Sequence, residues 1–280
     1  MTELRLRGHE GVTLAAHALG DPAAPPVLLL HGGGQTRHAW SGTARALADR
    51  GFYAVTLDLR GHGESDWSPD GSYRAAHFFA DVEAVVATFA IPPVIVGASL
   101  GGAIGLFVAA AKNVRVRALV LVDIALRAEM EGVERIVRFM ESGSGGFASL
   151  EDAADAIAAY LPHRRRPLRV DGLKKNLRLR DGRWYWHWDP AMLQSLKIGD
   201  LRASGAFVDA AKRLDVPVLL VRGEQSDVVS EEIAREFLEI VPAARYVDVG
   251  GARHMVAGDA NDPFTQAVVD FVDDVVRAAG

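Results

Sequence analysis

The chain of 280 residues contains no cysteine, so disulfide bonds, thiol catalysis, cysteine-ligated zinc and iron–sulfur clusters are excluded. It also has little net charge, since 31 Lys and Arg against 36 Asp and Glu give −5 at pH 7. This balance does not indicate a nucleic-acid-binding protein. Long apolar runs are absent as well: the first residues form no signal-peptide core, and no run approaches the roughly 20 residues that span a bilayer. We therefore expect a soluble, cytoplasmic protein with no nucleic-acid or membrane partner.

Short apolar runs that end abruptly in turn residues recur along the chain. They are nearly continuous rather than alternating, which is typical of strands covered on both faces of a parallel sheet. Segments of helical character separate them, so the pattern predicts a doubly wound α/β fold. The predicted strands are 27–30, 94–96, 119–122 and 218–221, and the predicted helices are 39–50, 74–90, 100–112 and 231–241.

The first twenty residues follow a different pattern. Residues 4–6 and 12–19 alternate in polarity and meet around Gly8 and Gly11, which predicts an antiparallel hairpin at one edge of the sheet. An open α/β sheet binds its ligand outside the carboxyl ends of its strands. The residues directly after each apolar run are therefore the candidates for a functional site.

Residues 126–212 interrupt the alternation. They contain no parallel-strand run, and strand-type runs resume only at Val216, so we predict a helical cap inserted into one α/β core. The core then comprises residues 1–125 and 213–280, and residues 126–212 are called the cap segment. Its stretch 163–183 carries nine Lys and Arg but only two Asp. These charges could bind a carboxylate substrate, although a solvated face with helical salt bridges is the simpler interpretation.

The cap segment also holds a cluster of tryptophans. Trp184, Trp186 and Trp188 alternate with Tyr185 and His187, so in an extended chain the three indoles would share one face. They could wall a pocket for a hydrophobic or aromatic acyl group. Alternatively, they anchor the cap to the core.

A glycine-rich turn joins the predicted strand 94–96 to the next helix. It reads Gly97-Ala98-Ser99-Leu100-Gly101, the Gly-x-Ser-x-Gly arrangement of a nucleophile elbow. Such a turn holds its serine in strained geometry, and its small residues let the strand and helix approach closely. The serine oxygen lies at the start of the helix, where backbone N–H groups and the helix dipole favour negative charge. Ser99 is therefore the predicted nucleophile.

A serine hydroxyl at neutral pH needs a general base, and that base needs an orienting acid. His254 follows the apolar run 246–249, and Asp227 lies on the loop after the run 218–221. The chain order of serine, acid and histidine separates this arrangement from the protease folds that use the same chemistry. We predict Asp227 as the acid. Asp123 is the alternative, because it too follows a strand, 119–122.

Acyl transfer also needs donors for a tetrahedral oxyanion. One is the backbone N–H of Leu100, directly after the nucleophile. The second should come from the loop after residues 27–30, and there we choose Gly33 over Gly32 and Gly34. We also place His31, Gly32 and Gly34 at the substrate pocket. No phosphate-binding or dinucleotide-binding pattern follows, and the nine histidines show no metal-ligand spacing, so neither a metal nor an organic cofactor is predicted.

These motifs resemble those of the α/β-hydrolase superfamily. The resemblance covers both halves of the core and is weak in the cap segment. It implies a mostly parallel eight-stranded sheet under a helical cap, with Ser99 as nucleophile, Asp227 as acid and His254 as base. Some relatives supply the acid from the position of Asp123. The matching segments are 31–34, 58–65, 97–102, 223–227 and 251–254.

The segment 58–65 resembles a structural turn of that superfamily. Arg60, His62 and Asp66 lie in or beside it and carry charge or can titrate. We interpret all three as structural residues rather than as parts of the site.

The predicted function is hydrolysis of a carboxylic ester or lactone, a small molecule, through an acyl-enzyme. Epoxide hydrolases and haloalkane dehalogenases share the core but use Asp as nucleophile, so Ser99 argues against both. Carbon–carbon hydrolases of dienoic ring-cleavage products, hydroxynitrile lyases and cofactor-free perhydrolases keep the serine triad and remain alternatives. A ligand receptor built on a hydrolase core is the non-enzymatic alternative. The sequence does not distinguish a monomer from a homodimer.

Overall fold

A central sheet of eight strands organises the protein in a computed structural model that describes residues 1–162, 170–195, 205–254 and 261–278. The strand order is β1-β2-β4-β3-β5-β6-β9-β10. The pair β1–β2 and the pair β2–β4 are antiparallel, and every other pair in this sheet is parallel. The eight strands are β1 (Thr2–Arg7), β2 (Thr13–Leu19), β3 (Pro26–Leu30), β4 (Tyr53–Leu57), β5 (Val94–Ala98), β6 (Ala118–Val122), β9 (Val218–Gly223) and β10 (Arg245–Val249).

Helices cover both faces of this sheet because successive residues of each strand point to opposite sides. In β3, Leu28 and Leu30 belong to one buried cluster, whereas Val27 and Leu29 belong to the other. The helices are α1 (Ser41–Asp49), α2 (Ala75–Val86), α3 (Leu100–Ala109), α4 (Met130–Glu141), α5 (Leu150–Tyr160), α6 (Ala191–Ser195), α7 (Ala206–Lys212), α8 (Glu231–Ile240) and α9 (Asn261–Arg277). Helices α2 and α3 pack with the first cluster, and α1 and α9 pack with the second.

The sheet confirms the predicted α/β fold class. The hairpin predicted in the first twenty residues is confirmed too, as β1 pairs with β2 at the edge of the sheet. All four predicted apolar runs lie within strands, and the four predicted helices correspond to α1, α2, α3 and α8. Strand β4 was not among the predicted runs, although its burial on both faces fits the same pattern.

The cap segment is not purely helical, which differs from the sequence prediction. Besides helices, it contains an antiparallel pair of strands, β7 (Leu177–Arg180) and β8 (Arg183–Trp186). Asp181 and Gly182 connect them, both with positive φ (47° and 76°). Asp-Gly is the preferred pair for such a two-residue hairpin turn. That dipeptide between alternating residues was therefore the signal for this hairpin.

Among the helices in the described ranges, none combines the length and the apolar character needed to cross a membrane.

Candidate active site

Ser99 occupies the sharp turn between β5 and α3. Its backbone has φ 45° and ψ −109°, a conformation that a non-glycine residue adopts only where surrounding contacts enforce it. The Ser99 N–H donates to the Val122 carbonyl at 3.1 Å, and the Ala103 N–H donates to the Ser99 carbonyl at 2.9 Å. These bonds fix the turn to β6 on one side and to α3 on the other. The strain expected for a nucleophile elbow is therefore present.

Glycine is required on both sides of Ser99. A Cβ at Gly97 would overlap the carbonyl oxygen of Gly101, and a Cβ at Gly101 would overlap the carbonyl oxygen of Leu30. The Gly101 N–H donates to the His31 carbonyl at 3.1 Å. Helix α3 thus begins directly against the end of β3, and the loop after β3 lies beside Ser99.

In the structure, His254 is hydrogen-bonded to Asp123, the alternative acid, and the predicted acid Asp227 has another partner. His254 Nδ1 lies 2.6 Å from Asp123 Oδ2, and Asp123 follows β6. The carboxylate of Asp227, the predicted partner, instead forms an ion pair with Arg135 of α4 at 2.6 Å. The physical reason is the direction of the two side chains. Asp123 has a φ of 48° at the end of its strand and contacts His254, whereas Asp227 lies farther along its loop and contacts the cap segment.

Asp123 is completely buried, and donors surround its charge. Gly223 N–H donates to Oδ1 at 3.1 Å, and the Ser226 hydroxyl donates to Oδ2 at 2.5 Å. Together with the imidazole of His254, these groups satisfy a carboxylate that would otherwise be costly to bury. Because the Ser99 N–H bonds to the residue before Asp123, this pair lies at the same edge of the sheet as Ser99.

Ser226 is a further residue of this site that was not predicted from the sequence. Its hydroxyl oxygen donates to Asp123 and accepts from the N–H groups of Val228 and Val229, at 3.2 and 3.1 Å. One side chain therefore shapes the loop after β9 and binds the carboxylate. Its position directly before Asp227 was the available signal, but the spacing of residues does not reveal which of two neighbouring side chains points inward.

The loop after β3, residues 31–35, carries the predicted oxyanion donor Gly33 and is called the oxyanion loop for that prediction. Gly32 N–H donates to Gln35 Oε1 at 3.1 Å, and Gly34 N–H donates to His62 Nε2 at 3.2 Å. Among the described residues, no partner is found for Gly33 N–H. Leu100 is the first residue of α3, so its N–H has no carbonyl one turn earlier in the helix. Within the part of the chain that the structure describes, the N–H groups of Gly33 and Leu100 are thus compatible with the predicted donor role, which stays a prediction.

Three buried histidines form hydrogen bonds with backbone groups of the oxyanion loop, and burial lowers the pKa of each. The pKa of His62 falls to about 3, chiefly through burial and secondarily through the neighbouring His31. Burial also lowers the pKa of His31, and it lowers the pKa of His187 well below its ordinary value. The rings of His31 and His62 are 4.9 Å apart, and those of His62 and His187 are 5.9 Å apart. Burial therefore favours the neutral form of all three imidazoles.

Two of the residues expected at the substrate pocket, His31 and Gly34, form hydrogen bonds within the protein. His31 is fully buried, and its ring bonds to the Gly32 carbonyl and to the Leu59 N–H, so it does not line an open pocket. Both backbone groups of Gly34 are engaged by histidines, His62 at its N–H and His187 at its carbonyl. Gly32 remains adjacent to the nucleophile, because a Cβ at Gly32 would lie 3.5 Å from Ser99 Cβ.

The tryptophans build the interior of the cap segment. Trp186 and Trp188 are buried and stack at 5.0 Å, and the Trp186 indole N–H donates to the Ser142 carbonyl at 2.8 Å. Trp184 pairs with Phe147 through two backbone hydrogen bonds. All of these contacts lie within the cap segment, so anchoring of the cap to the core by the indoles stays a prediction. The buried indoles of Trp186 and Trp188 do not form an exposed wall.

Arg60, His62 and Asp66 serve the packing of the turn that follows β4. Arg60 is fully buried and forms a two-pronged bond to Asp81, with both distances 2.8 Å. Asp66 accepts a hydrogen bond from the Thr13 N–H at 2.7 Å. These contacts agree with the structural interpretation made from the sequence.

Several basic residues of 163–183 make contacts within the protein. Lys174 pairs with Asp171, Arg178 donates to the Gly63 carbonyl, and Arg183 donates to the carbonyls of Gly145 and Gly146. Arg180 lies over the rings of Trp67 and Tyr185. Four basic residues of this run, at 164, 165, 166 and 169, lie outside the described residues. The described ones fit a structural role better than an anion site.

The sheet order, the strained serine turn and the His254–Asp123 pair define an α/β hydrolase. Residues 25–260 match the family described as alpha/beta hydrolase fold. The chain belongs to that family.

Its relatives include a protein named as an esterase and others named as hydrolases. The esterase Rv0045c of Mycobacterium tuberculosis is 34% identical over 222 residues, which are 76% of this chain and 71% of the relative. The 3-hydroxybutyrate-oligomer hydrolase of Cupriavidus necator is 31% identical over 258 residues, 85% of this chain and 87% of that one. The crystal structure of E-2-(acetamidomethylene)succinate hydrolase matches with a TM-score of 0.81 at 26% identity, covering 97% of this chain and 99% of that chain. The protein is thus a hydrolase with esterases among its homologues.

Proposed function

We propose that the protein is a serine hydrolase that cleaves a carboxylic ester or a lactone through an acyl-enzyme on Ser99. The observation that carries this proposal is the bond of His254 Nδ1 to Asp123, at the same edge of the sheet as a serine in elbow geometry. When Nδ1 donates to the carboxylate, the lone pair of the imidazole is on Nε2, which is the atom that must accept the serine proton.

The reaction begins when Ser99 Oγ attacks the carbonyl carbon and its proton passes to His254. The carboxylate of Asp123 stabilises the imidazolium that forms. The N–H groups of Gly33 and Leu100 bind the oxyanion of the tetrahedral intermediate. Collapse of the intermediate expels the alcohol, which takes the proton from His254. Water activated by His254 then releases the acid and restores Ser99.

The relatives support ester cleavage as the reaction class, but they do not identify the acyl group or the leaving group. The triad is also compatible with carbon–carbon hydrolysis and with perhydrolysis. A panel of esters, lactones and vinylogous diketones therefore tests the proposal, with the Ser99→Ala protein as the blank. We expect turnover of an ester or lactone that Ser99→Ala lowers by several powers of ten, while the protein remains folded.

Labelling with a serine-directed fluorophosphonate, combined with turnover of the panel, separates an enzyme from a receptor on the same fold. Ser99 should be labelled in the parent protein, and the label should be lost in Ser99→Ala. Near-normal turnover by Ser99→Ala would refute the nucleophile. Labelling without any turnover of the panel would favour the receptor.

A further inference from the structure

We propose that His187 of the cap segment positions the oxyanion loop, so that docking of the cap segment completes the oxyanion hole. The expected effect on turnover rests on the proposed function. The expected effect on the conformation of the loop rests only on the contacts of His187.

His187 is buried and bridges two loops of the core. Its Nδ1 lies 2.8 Å from the Gly63 nitrogen, and its Nε2 lies 3.3 Å from the Gly34 carbonyl oxygen. A backbone N–H can only donate and a carbonyl can only accept. Nδ1 is therefore unprotonated, and Nε2–H donates to Gly34. Only the neutral ring makes both bonds, which agrees with the lowered pKa of this histidine.

The bond to Gly34 completes the hydrogen bonding of the oxyanion loop. The Gly32 carbonyl accepts from His31 Nδ1 at 2.8 Å and from Gln35 N–H at 3.1 Å. This carbonyl belongs to the same planar peptide as the Gly33 N–H, so fixing the carbonyl also fixes the direction of that N–H. On the other side of Gly33, His62 binds the N–H of Gly34 and His187 binds its carbonyl.

Without these bonds, Gly34 would be free to change its backbone conformation. Its φ is 72°, a conformation that glycine adopts freely and also leaves freely. Of the histidines that bind the loop, His31 and His62 belong to the core, whereas His187 comes from the cap segment. The core thus holds the loop up to the Gly34 N–H, and the cap segment fixes the peptide that follows. Met140 of α4 packs against the same glycine.

Two other bonds between the cap segment and the core end on the turn after β4, outside the oxyanion loop. Arg178 donates to the Gly63 carbonyl at 2.6 Å, and the Asp189 N–H donates to the Gly61 carbonyl at 2.9 Å. These bonds dock the cap segment on the same turn that His187 contacts through Gly63. Removing one of these bonds should therefore weaken docking of the cap segment without changing a contact of the oxyanion loop.

Two substitutions of His187 each keep one of its two hydrogen bonds and remove the other. In His187→Gln the side-chain amide nitrogen reaches the position of Nε2 and can donate to Gly34. In His187→Asn the amide oxygen reaches the position of Nδ1 and can accept from Gly63, but the bond to Gly34 is lost. Each variant keeps one bond, so their losses of stability are comparable. Arg178→Met is the matched control, because it removes a docking bond without touching Gly34.

We expect His187→Asn to lower kcat for the best ester of the panel about tenfold to a hundredfold with little change in KM, a smaller loss than removal of an oxyanion donor. His187→Gln and Arg178→Met should stay within about threefold of the parent kcat. Equal losses of kcat in the Asn and Gln variants, or an unchanged kcat in the Asn variant, would overturn the proposal.

Hydrogen–deuterium exchange of a peptide covering residues 31–36 provides a readout that needs no turnover. Exchange should be faster in His187→Asn than in the parent, and unchanged in Arg178→Met. If the parent hydrolyses no substrate, the proposed function fails while exchange still tests the positioning. If exchange is the same in the parent and His187→Asn, the positioning proposal is wrong whatever the activity.

Discussion

Asp227 forms an ion pair with Arg135, with 2.6 Å between its Oδ2 and the guanidinium. The pair joins the loop after β9 to α4 of the cap segment. Helix α4 lies close against that loop, since a Cβ at Gly132 would overlap the Asp227 carbonyl oxygen. The two carboxylates that follow neighbouring strands therefore have different partners. Asp123 contacts His254, and Asp227 contacts the cap segment.

The comparison of Asp123→Asn with Asp227→Asn tests this division. We expect Asp123→Asn to lower kcat about a thousandfold or more, because an amide can hold His254 in the wrong tautomer and cannot stabilise the imidazolium. Asp227→Asn should stay within about fivefold of the parent, since a partly exposed ion pair contributes little. The measurement is kcat/KM on the best ester of the panel. A larger loss in Asp227→Asn would restore it as the acid.

Ser226 should influence both activity and stability. Ser226→Ala removes the donor at Asp123 Oδ2 and the acceptor of two backbone N–H groups, so we expect kcat to fall about tenfold and the free energy of unfolding to fall by about 1–3 kcal/mol. Ser226→Thr keeps the hydroxyl and serves as the control. Steady-state kinetics and urea unfolding measure the two effects. Parent-like kinetics in Ser226→Ala would show that Asp123 does not depend on this hydroxyl.

The sequence predicted the parts of the site that depend on strand order. Ser99, Asp123 and His254 each follow a strand run, and the ends of parallel strands meet at one edge. The choice between Asp123 and Asp227 depends instead on side-chain direction, which neither hydrophobic pattern nor spacing records. The role of His187 was equally hidden, because it arises from contacts between segments more than a hundred residues apart in the chain. The same limit applies to Ser226.

Acidic pH should destabilise the protein through its buried neutral histidines. Burial lowers the pKa of His62 from the ordinary 6.5 to about 3, so between these values the unfolded chain binds a proton that the folded chain does not. The free energy of unfolding should therefore fall by about 1 kcal/mol per pH unit below 6.5 from this residue alone. His31 and His187 act in the same direction. Above 6.5 the effect is absent.

His62→Gln isolates the contribution of that residue. The glutamine oxygen can accept the Gly34 N–H but does not titrate, so the slope of stability against pH should become shallower by about one proton. Urea unfolding from pH 5 to pH 7.5 measures the slope for both proteins. Identical slopes would mean that His62 is protonated to the same extent in the folded and unfolded chains.

The buried pair of Arg60 and Asp81 should be important for stability and not for chemistry. Arg60 Nε and Nη2 bond to the two carboxylate oxygens, and Asp81 also accepts from the His9 N–H at 2.7 Å. Arg60→Met leaves a buried carboxylate without its partner, so we expect a loss of about 3–5 kcal/mol in the free energy of unfolding. Asp81→Asn should also destabilise the protein, because the buried guanidinium then keeps only a 3.8 Å ion pair with the exposed Glu10 and a bond to the His9 carbonyl.

The double variant Arg60→Met with Asp81→Asn should be less destabilised than the sum of the two single variants, because it leaves no buried charge uncompensated. In every variant, kcat per folded molecule, counted by fluorophosphonate labelling, should equal that of the parent. A loss of kcat in correctly folded, fully labelled Arg60→Met would assign Arg60 a part in the reaction and contradict its structural interpretation.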